Sequence, residues 1–130
     1  MKNKIEITED AQATAKWTGY PNFQKEVLQA LKGIPRHRFV QTNNQTEAYA
    51  NCPLPIGFGQ TISQPYIVAL MTVLLELEAH HHVLEVGTGC GYQTAVLAAL
   101  VCRVWTIEVL SELSARAKKT LCDLNYNNVQ

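Results

Sequence analysis

The stretch that decides the fold is Val83-Leu84-Glu85-Val86-Gly87-Thr88-Gly89-Cys90-Gly91. Apolar residues around one acid predict a short buried strand over residues 83–86. The alternating glycines that follow predict a tight turn, because a residue without a Cβ adopts positive φ and lets the main chain approach a ligand. The G-x-G-x-G spacing matches a dinucleotide fingerprint only in part, since that pattern has its third glycine one residue later. We expect a cofactor-binding turn whose main-chain amides are free to bind the ligand.

The residues after the glycines predict a βαβ unit. Residues 92–100 have the pattern of a helix, residues 102–107 have that of a second strand, and Glu108 follows this strand. In nucleotide-binding α/β folds an acid about 20 residues beyond the first glycine accepts hydrogen bonds from a ribose diol. The position of Glu108 favours this role over that of a solvated residue at a strand end. For Glu85 two interpretations are equally open, a cofactor-binding acid or a side chain tied to a loop amide.

Composition limits the fold and the partners. The chain has 130 residues, of which 47% are apolar and 17% charged, and this predicts one core in one domain. Eleven basic residues balance eleven acidic ones, so we expect no nucleic-acid or membrane partner. The N-terminus lacks the apolar stretch of a secretory signal, and the apolar run near residues 67–75 is too short to span a bilayer. We expect a soluble, cytoplasmic protein.

Two helices are predicted in the N-terminal part. The first starts near Thr8-Glu9-Asp10 and ends at Gly19 and Pro21. The second is predicted to be capped by Asn22 and to end at Gly33, which is placed for a left-handed cap. Neither helix carries residues that indicate chemistry.

A long loop and a third helix are predicted next. Residues 36–60 have no regular pattern, and a loop of that length in a compact domain is often functional. The third helix is predicted to begin at Pro65, which is well tolerated in a first turn. Its predicted apolar face consists of Tyr66, Ile67, Leu70, Met71, Leu74 and Leu75.

Ser63 precedes this helix and has two interpretations. A serine in front of a helix is most often an N-terminal cap with no catalytic role. Alternatively, its hydroxyl positions a substrate carboxylate, because backbone amides and the helix dipole favour anions there. No histidine and carboxylate pair indicates that Ser63 is a covalent nucleophile, so a hydrolase is disfavoured.

The rest of the chain carries weaker signals. His80, His81 and His82 are predicted to form a solvated loop and no metal site, because consecutive side chains point in different directions. A last helix is predicted after Glu108, and residues 129–130 look like the start of a third strand. The apolar face of that helix consists of Leu110, Leu113, Ala117, Leu121 and Leu124.

Two runs of this sequence resemble the protein-L-isoaspartate O-methyltransferase family of bacterial type. They are LPIGFGQTISQP at residues 54–65 and VLEVGTGCGYQ at residues 83–93, and the resemblance extends from about residue 23 to residue 129. It implies an α/β fold, an incomplete class I S-adenosylmethionine-dependent (Rossmann-like) methyltransferase with N-terminal helices. Residues 1–60 would then be an N-terminal helical and loop segment, and residues 61–130 the first half of the methyltransferase domain.

The resemblance also implies a reaction and a set of site residues. Family members transfer a methyl group from S-adenosyl-L-methionine to the free carboxylate of L-isoaspartyl residues in damaged proteins, and S-adenosyl-L-homocysteine is the product. The implied partners are isoaspartyl-containing peptides and proteins. The implied catalytic residue is Ser63. The implied cofactor-binding residues are Thr61, Ile62, Glu85, Gly87, Thr88, Gly89 and Glu108.

The chain departs from the family pattern after its third predicted strand. Full members continue with further strands, including a G-D-G segment, which are not among these 130 residues. We therefore expect the strand at residues 83–86 to have one neighbour and an apolar edge. Three alternatives stay open: a shortened isoaspartyl methyltransferase, a non-catalytic remnant that binds cofactor weakly or acts by association, and a small-molecule methyltransferase. The T-I-S-Q-P run argues against the third, and we expect little or no activity from this chain alone.

Overall fold

The computed structural model describes residues 3–19 and 22–130, and this part of the chain folds into helices around two small sheets. The helices are α1 Glu6–Thr18, α2 Lys25–Gly33, α3 Pro65–Leu74, α4 Tyr92–Ala98 and α5 Ser111–Asp123. The strands are β1 Leu54–Gly57, β2 Gln60–Ile62, β3 His82–Val86 and β4 Arg103–Ile107. Two 3₁₀ helices, Arg36–Arg38 and Thr42–Glu47, precede β1.

The βαβ prediction is confirmed by β3, α4 and β4. The two strands pair in parallel from His82 with Arg103 to Val86 with Ile107. The start of a third strand is also confirmed, because Val129 forms a parallel bridge with Val104 on the other side of β4. Within the described residues β3 pairs with β4 alone, so its outer edge is open as expected.

The expectation of an irregular loop over residues 36–60 is wrong. This segment contains the two 3₁₀ helices and β1, which pairs with β2 as an antiparallel hairpin in the register Leu54 with Ile62. The hairpin turns through Phe58 and Gly59, both at positive φ (55° and 69°). Two positive φ values suit the right-handed twist of a hairpin, but the usual sequence signal is Asn-Gly or Asp-Gly. Phenylalanine at the first turn position concealed the hairpin.

Two predicted helix ends are wrong and one is confirmed. Helix α1 has its last residue at Thr18 and its C-terminal cap at the predicted Gly19, which adopts the left-handed conformation (φ 80°); Pro21 lies outside the described residues. Helix α2 begins at Lys25, so Asn22 is not its cap. Gly33 is its last helical residue, and the chain leaves the helix through Ile34 in an extended conformation. Burial of Ile34 in the core accounts for this exit without a left-handed glycine.

Helix α3 begins at Pro65 as predicted, but its predicted apolar face is wrong. Met71, Leu74 and Leu75 are exposed. Tyr66 is buried as predicted, and the other buried residues of the helix are Pro65, Val68, Ala69, Thr72 and Val73. This surface is wider because α3 packs against α1, α2 and α4 rather than against one layer. No helix in residues 3–19 and 22–130 has the length and apolarity needed to cross a membrane.

The described residues form two buried clusters, a large one that extends from α1 to α5 and a small one of Leu97, Ala98, Val101 and Val104. Residues from the three N-terminal helices, the hairpin, α4 and α5 share one buried cluster, and Leu113, Ala117 and Leu121 are the buried side of α5 as predicted. The hairpin lies on both sides of the predicted division between residues 60 and 61, and that division stays a prediction. The expectation that residues 83–86 form a buried strand is wrong, because no residue of β3 is buried and Leu84 and Val86 are 64% and 76% exposed.

Candidate functional site

The glycine turn, residues 87–91, joins β3 to α4 and has the predicted conformation. Gly87, Gly89 and Gly91 have φ values of 91°, 56° and 88°, which L side chains rarely adopt. A Cβ at Gly91 would lie 3.3 Å from side-chain atoms of Ala117 and Leu121, so this glycine also lets α5 pack closely. At Gly87 no atom of the described residues would lie within 4 Å of an added Cβ, so the first glycine faces open space.

The expectation that this turn has free main-chain amides is wrong. The amides of Gly87 and Thr88 donate to the carbonyl oxygen of Ile107, at 2.8 and 3.2 Å. The Gly91 amide donates to the carbonyl oxygen of Thr88 (2.8 Å), and the Gly89 amide donates to Oε2 of Glu108 (2.7 Å). Backbone donors near a core are nearly always paired, and here the pairs lie within the βαβ unit. The glycines therefore contribute shape and close approach rather than these four N–H groups.

Glu108 and Glu85 both support the glycine turn, in different ways. Glu108 accepts main-chain hydrogen bonds from Gly89 and, through Oε1, from Leu110 (3.0 Å). These bonds, that from Leu110 first, lower the pKa of Glu108. Glu85 accepts hydrogen bonds from the hydroxyls of Thr94 and Thr106, and burial raises its pKa despite them. A loop amide is therefore not the partner of Glu85, and the cofactor roles of both acids stay predictions.

The serine turn, residues 61–64, connects β2 to α3. The interpretation of Ser63 as the N-terminal cap of α3 is wrong, because the cap position is Gln64 and the capping oxygen comes from elsewhere. Oδ1 of Asn51 accepts from the Tyr66 amide (3.0 Å), while the Asn51 amide group donates to Thr14 (2.8 Å). The Ser63 hydroxyl has no hydrogen-bond partner among the described residues and is partly exposed. It is thus available to a ligand.

The serine turn and the glycine turn share one cavity of about 80 Å³. It is lined by Thr61, Ile62, Ser63, Val68, Gly87, Thr88, Gly89, Cys90, Tyr92 and Gln93. Six of the eight residues predicted for the site are in this lining. Glu85 and Glu108 are not in the lining; the carboxylate of Glu85 accepts from Thr94 and Thr106, and that of Glu108 from the amides of Gly89 and Leu110. The structure therefore brings residues 61–63 and part of the glycine turn to one cavity.

The family model described as protein-L-isoaspartate(D-aspartate) O-methyltransferase matches residues 14–130. The chain belongs to this family. It is 51% identical over 125 residues to protein-L-isoaspartate O-methyltransferase 2 of Polaromonas sp. (strain JS666 / ATCC BAA-500), covering 96% of this chain and 59% of that protein. It is 58% identical over 103 residues to the Trichlorobacter lovleyi protein-L-isoaspartate O-methyltransferase, covering 79% of this chain and 48% of that protein. The chain thus spans about half to three fifths of the length of these relatives.

Solved structures of isoaspartyl methyltransferases confirm the predicted fold class. One, a protein-L-isoaspartate O-methyltransferase, superposes with a TM-score of 0.79 at 26% identity, covering 94% of this chain and 40% of that one. Another is described as a putative protein-L-isoaspartate O-methyltransferase from Plasmodium falciparum in complex with S-adenosyl-L-homocysteine. It superposes with a TM-score of 0.76 at 20% identity, covering 99% of this chain and 62% of that one. The fold is an incomplete Rossmann-like methyltransferase fold with N-terminal helices.

Sequence reasoning missed several residues around the cavity of this isoaspartyl methyltransferase family member. Tyr92 and Gln93 directly follow the glycines, and their place at the start of α4 was the available signal. The Gln93 amide group donates to Thr72 (3.0 Å), which fixes the side chain on α3. Asn51 and Arg36 lie far from the glycine motif in sequence, and no local pattern marks them as supports of the serine turn.

The histidine segment lies at the opposite end of β3 from the glycine turn. The expectation that its side chains point apart is wrong for His80 and His81, whose rings meet edge to face at 4.6 Å. Possible ligand atoms of Glu78, His80 and His81 lie within 4.8 Å of one another at this largely exposed turn. The segment is separate from the cavity, and the absence of a metal site stays a prediction.

Proposed function

We propose that the protein is an isoaspartyl methyltransferase that transfers the methyl group of S-adenosyl-L-methionine to the free carboxylate of L-isoaspartyl residues in damaged proteins. The observation that supports this best is the cavity shared by the serine turn and the glycine turn. It puts an unpartnered hydroxyl beside a glycine turn whose first residue faces open space. Family membership supplies the reaction class.

The cofactor would lie against the glycine turn, and when bound it supplies an electrophilic sulfonium methyl group. The residues proposed to contact it are Thr61, Ile62, Gly87, Thr88 and Gly89, all of which line the cavity. Glu108 is proposed to accept hydrogen bonds from the ribose hydroxyls. Its carboxylate has lone pairs for them beyond the two that accept from the main-chain amides of Gly89 and Leu110. Glu85 would have an indirect role, because its hydrogen bonds with Thr94 and Thr106 connect β3 to α4 and β4, the elements of the βαβ unit that carries the glycine turn.

The acceptor needs orientation rather than a base. A carboxylate with a reference pKa of ~4 is ionised at neutral pH, so no proton has to be removed before it attacks the methyl group. The Ser63 hydroxyl would donate a hydrogen bond to one carboxylate oxygen and leave the other as the nucleophile. Holding oxygen, carbon and sulfur in line can contribute ~7 to 11 kcal/mol at best. We propose Ser63 as the catalytic residue in this sense.

The test measures methyl transfer and cofactor binding in parallel. The protein tested is a fusion of the 130-residue chain with the part of the Polaromonas relative that the match does not cover. Transfer of a labelled methyl group is measured to an L-isoaspartyl peptide, with the matching aspartyl peptide as control. Ser63→Ala is expected to lower transfer about 10- to 100-fold, the loss of one hydrogen bond to a charged group. Its affinity for S-adenosyl-L-homocysteine, measured by calorimetry, should stay near the wild-type value. Equal losses in both would contradict the assignment of Ser63.

A second candidate is a chain that binds the cofactor without turnover. The open edge of β3 and the small cavity favour it, since pockets for ligands of this size are typically ~300–1,000 Å³. Calorimetry with S-adenosyl-L-homocysteine on the 130-residue chain should show binding in either case. Turnover of the isoaspartyl peptide by that chain would exclude the second candidate. We also propose isoaspartyl peptides and proteins as partners. We propose a cytoplasmic location, and cell fractionation tests that location.

A further inference from the structure

Arg36 is the largest fully buried side chain of the described residues and lies directly behind the serine turn. Its Nε donates to the carbonyl oxygen of Ala48 and one Nη2 hydrogen bond goes to the carbonyl oxygen of Ser63, both at 2.8 Å. Nη1 has no hydrogen-bond partner among the described residues. The guanidinium carbon lies 4.8 Å from the centre of the Tyr92 ring. Arg36 therefore contacts residues from both sides of the cavity.

The charge of Arg36 has no carboxylate partner in the described part of the chain. The ion pairs found there, Glu78 with His80 and Lys119 with Asp123, do not involve it. Burial lowers the pKa of Arg36, yet an arginine stays protonated in proteins. A buried charge without an opposite charge is costly. Arg36 also donates from Nη2 to the carbonyl oxygen of Cys52 (3.5 Å), and neutral donors could hold these three carbonyl groups at lower cost, so the charge itself calls for an explanation.

We infer that Arg36 is a positioning residue for the acceptor: it fixes the main chain of Ser63 relative to Tyr92, and its unpaired charge favours an anion in front of the serine turn. This inference rests on the proposed function. A guanidinium suits such a place because it attracts a carboxylate but does not give up its proton. The acceptor oxygen would stay ionised and nucleophilic. The carbonyl bond to Ser63 would meanwhile hold the hydroxyl at the cavity.

The experiment compares three variants of the 130-residue chain with the wild type. Arg36→Met removes the charge and the hydrogen bonds, Arg36→Lys keeps the charge, and Arg38→Met removes an exposed arginine two residues away as the matched control. Each is titrated calorimetrically with S-adenosyl-L-homocysteine and with an L-isoaspartyl peptide. Near-ultraviolet circular dichroism verifies folding, and Arg36→Lys provides the comparison if Arg36→Met does not fold.

Arg36→Met is expected to bind the peptide at least about tenfold more weakly while its affinity for S-adenosyl-L-homocysteine changes by less than about twofold. Arg36→Lys should recover part of the peptide affinity, and Arg38→Met should match the wild type for both ligands. Equal losses for both ligands, or no loss of peptide affinity in either Arg36 variant, would overturn the inference.

Hydrogen exchange separates this inference from the proposed function. If neither the 130-residue chain nor the completed fusion binds the isoaspartyl peptide, it is the proposed function that fails. The positioning role is still measured, because replacing Arg36 should speed amide exchange over residues 61–66 and leave α5 unchanged. Unchanged exchange over residues 61–66 would overturn that role whatever the peptide does.

Discussion

The glycine turn and the serine turn face the same cavity but are held in different ways. The glycine turn takes its shape from its own residues, because three glycines at positive φ allow a path that other residues rarely follow. The serine turn contains no glycine and no positive φ. Its position depends on Arg36 and Asn51, which lie 27 and 15 residues from their partners, Ser63 and Tyr66. The conformation of the glycine turn is therefore determined by its local sequence, whereas the position of the serine turn is determined by tertiary contacts.

The strongest test of this difference is Gly91→Ala. The new Cβ would force an L residue to φ 88° and approach Ala117 and Leu121 to 3.3 Å. Left-handed strain of about 1–2 kcal/mol and overpacking of about 1–3 kcal/mol should lower the free energy of unfolding by about 2–5 kcal/mol. Urea denaturation measures this loss.

Gly19→Ala is the matched control for Gly91→Ala. Gly19 has a similar φ of 80°, but no atom of the described residues would lie within 4 Å of its Cβ. It should show the strain alone, about 1–2 kcal/mol. If the two variants lose equal stability, the close approach of α5 to the glycine turn contributes nothing, and the description of Gly91 as a packing residue is wrong.

The same difference explains which parts of the molecule could be predicted. The βαβ unit follows from strand and helix periodicity and from glycines that mark the turn between them, so its elements and neighbours were predicted closely. The hairpin was missed because Phe58 stands where a turn signal is expected. Ser63 was singled out through its family motif, and it lines one cavity with Gly87 and Gly89. Its support was not predicted, since a hydrogen bond from Arg36 or Asn51 leaves no periodic trace in the sequence.

Asn51→Ala tests the support of the serine turn and should have a smaller effect. It removes the side-chain cap on the Tyr66 amide and the hydrogen bond to Thr14. Loss of a cap costs about 0.5–2 kcal/mol, so the free energy of unfolding should fall by about 1–2 kcal/mol. Asn43→Ala, at an exposed position of the second 3₁₀ helix, should stay near the wild type.

Amide hydrogen exchange in Asn51→Ala provides a second measurement of whether Asn51 supports the serine turn. Amide exchange should rise at the start of α3 and the serine turn, while residues 87–91 keep wild-type protection. If exchange rises equally in both turns, the two are not supported independently. The distinction between a glycine turn shaped by its own residues and a serine turn positioned by distant side chains would then be wrong.

The smallest expected effect concerns pH, because the glycine turn is bonded to the Glu108 carboxylate, which titrates at acidic pH, whereas Arg36 at the serine turn stays protonated. The lowered pKa of Glu108 means that its stabilising effect is present above the ordinary pKa and is lost as the pH falls through the lowered value. Glu85 acts in the opposite direction: its raised pKa makes stability fall as the pH rises from the ordinary value, 4.5, through the raised one. Glu85→Gln should remove the loss at rising pH, and Glu108→Gln the loss at falling pH. Urea midpoints between pH 3 and 7 measure both effects. Glu47→Gln, at an exposed position, is the control. If the contributions of Glu85 and Glu108 to stability change with pH in the same direction, their assigned environments are wrong.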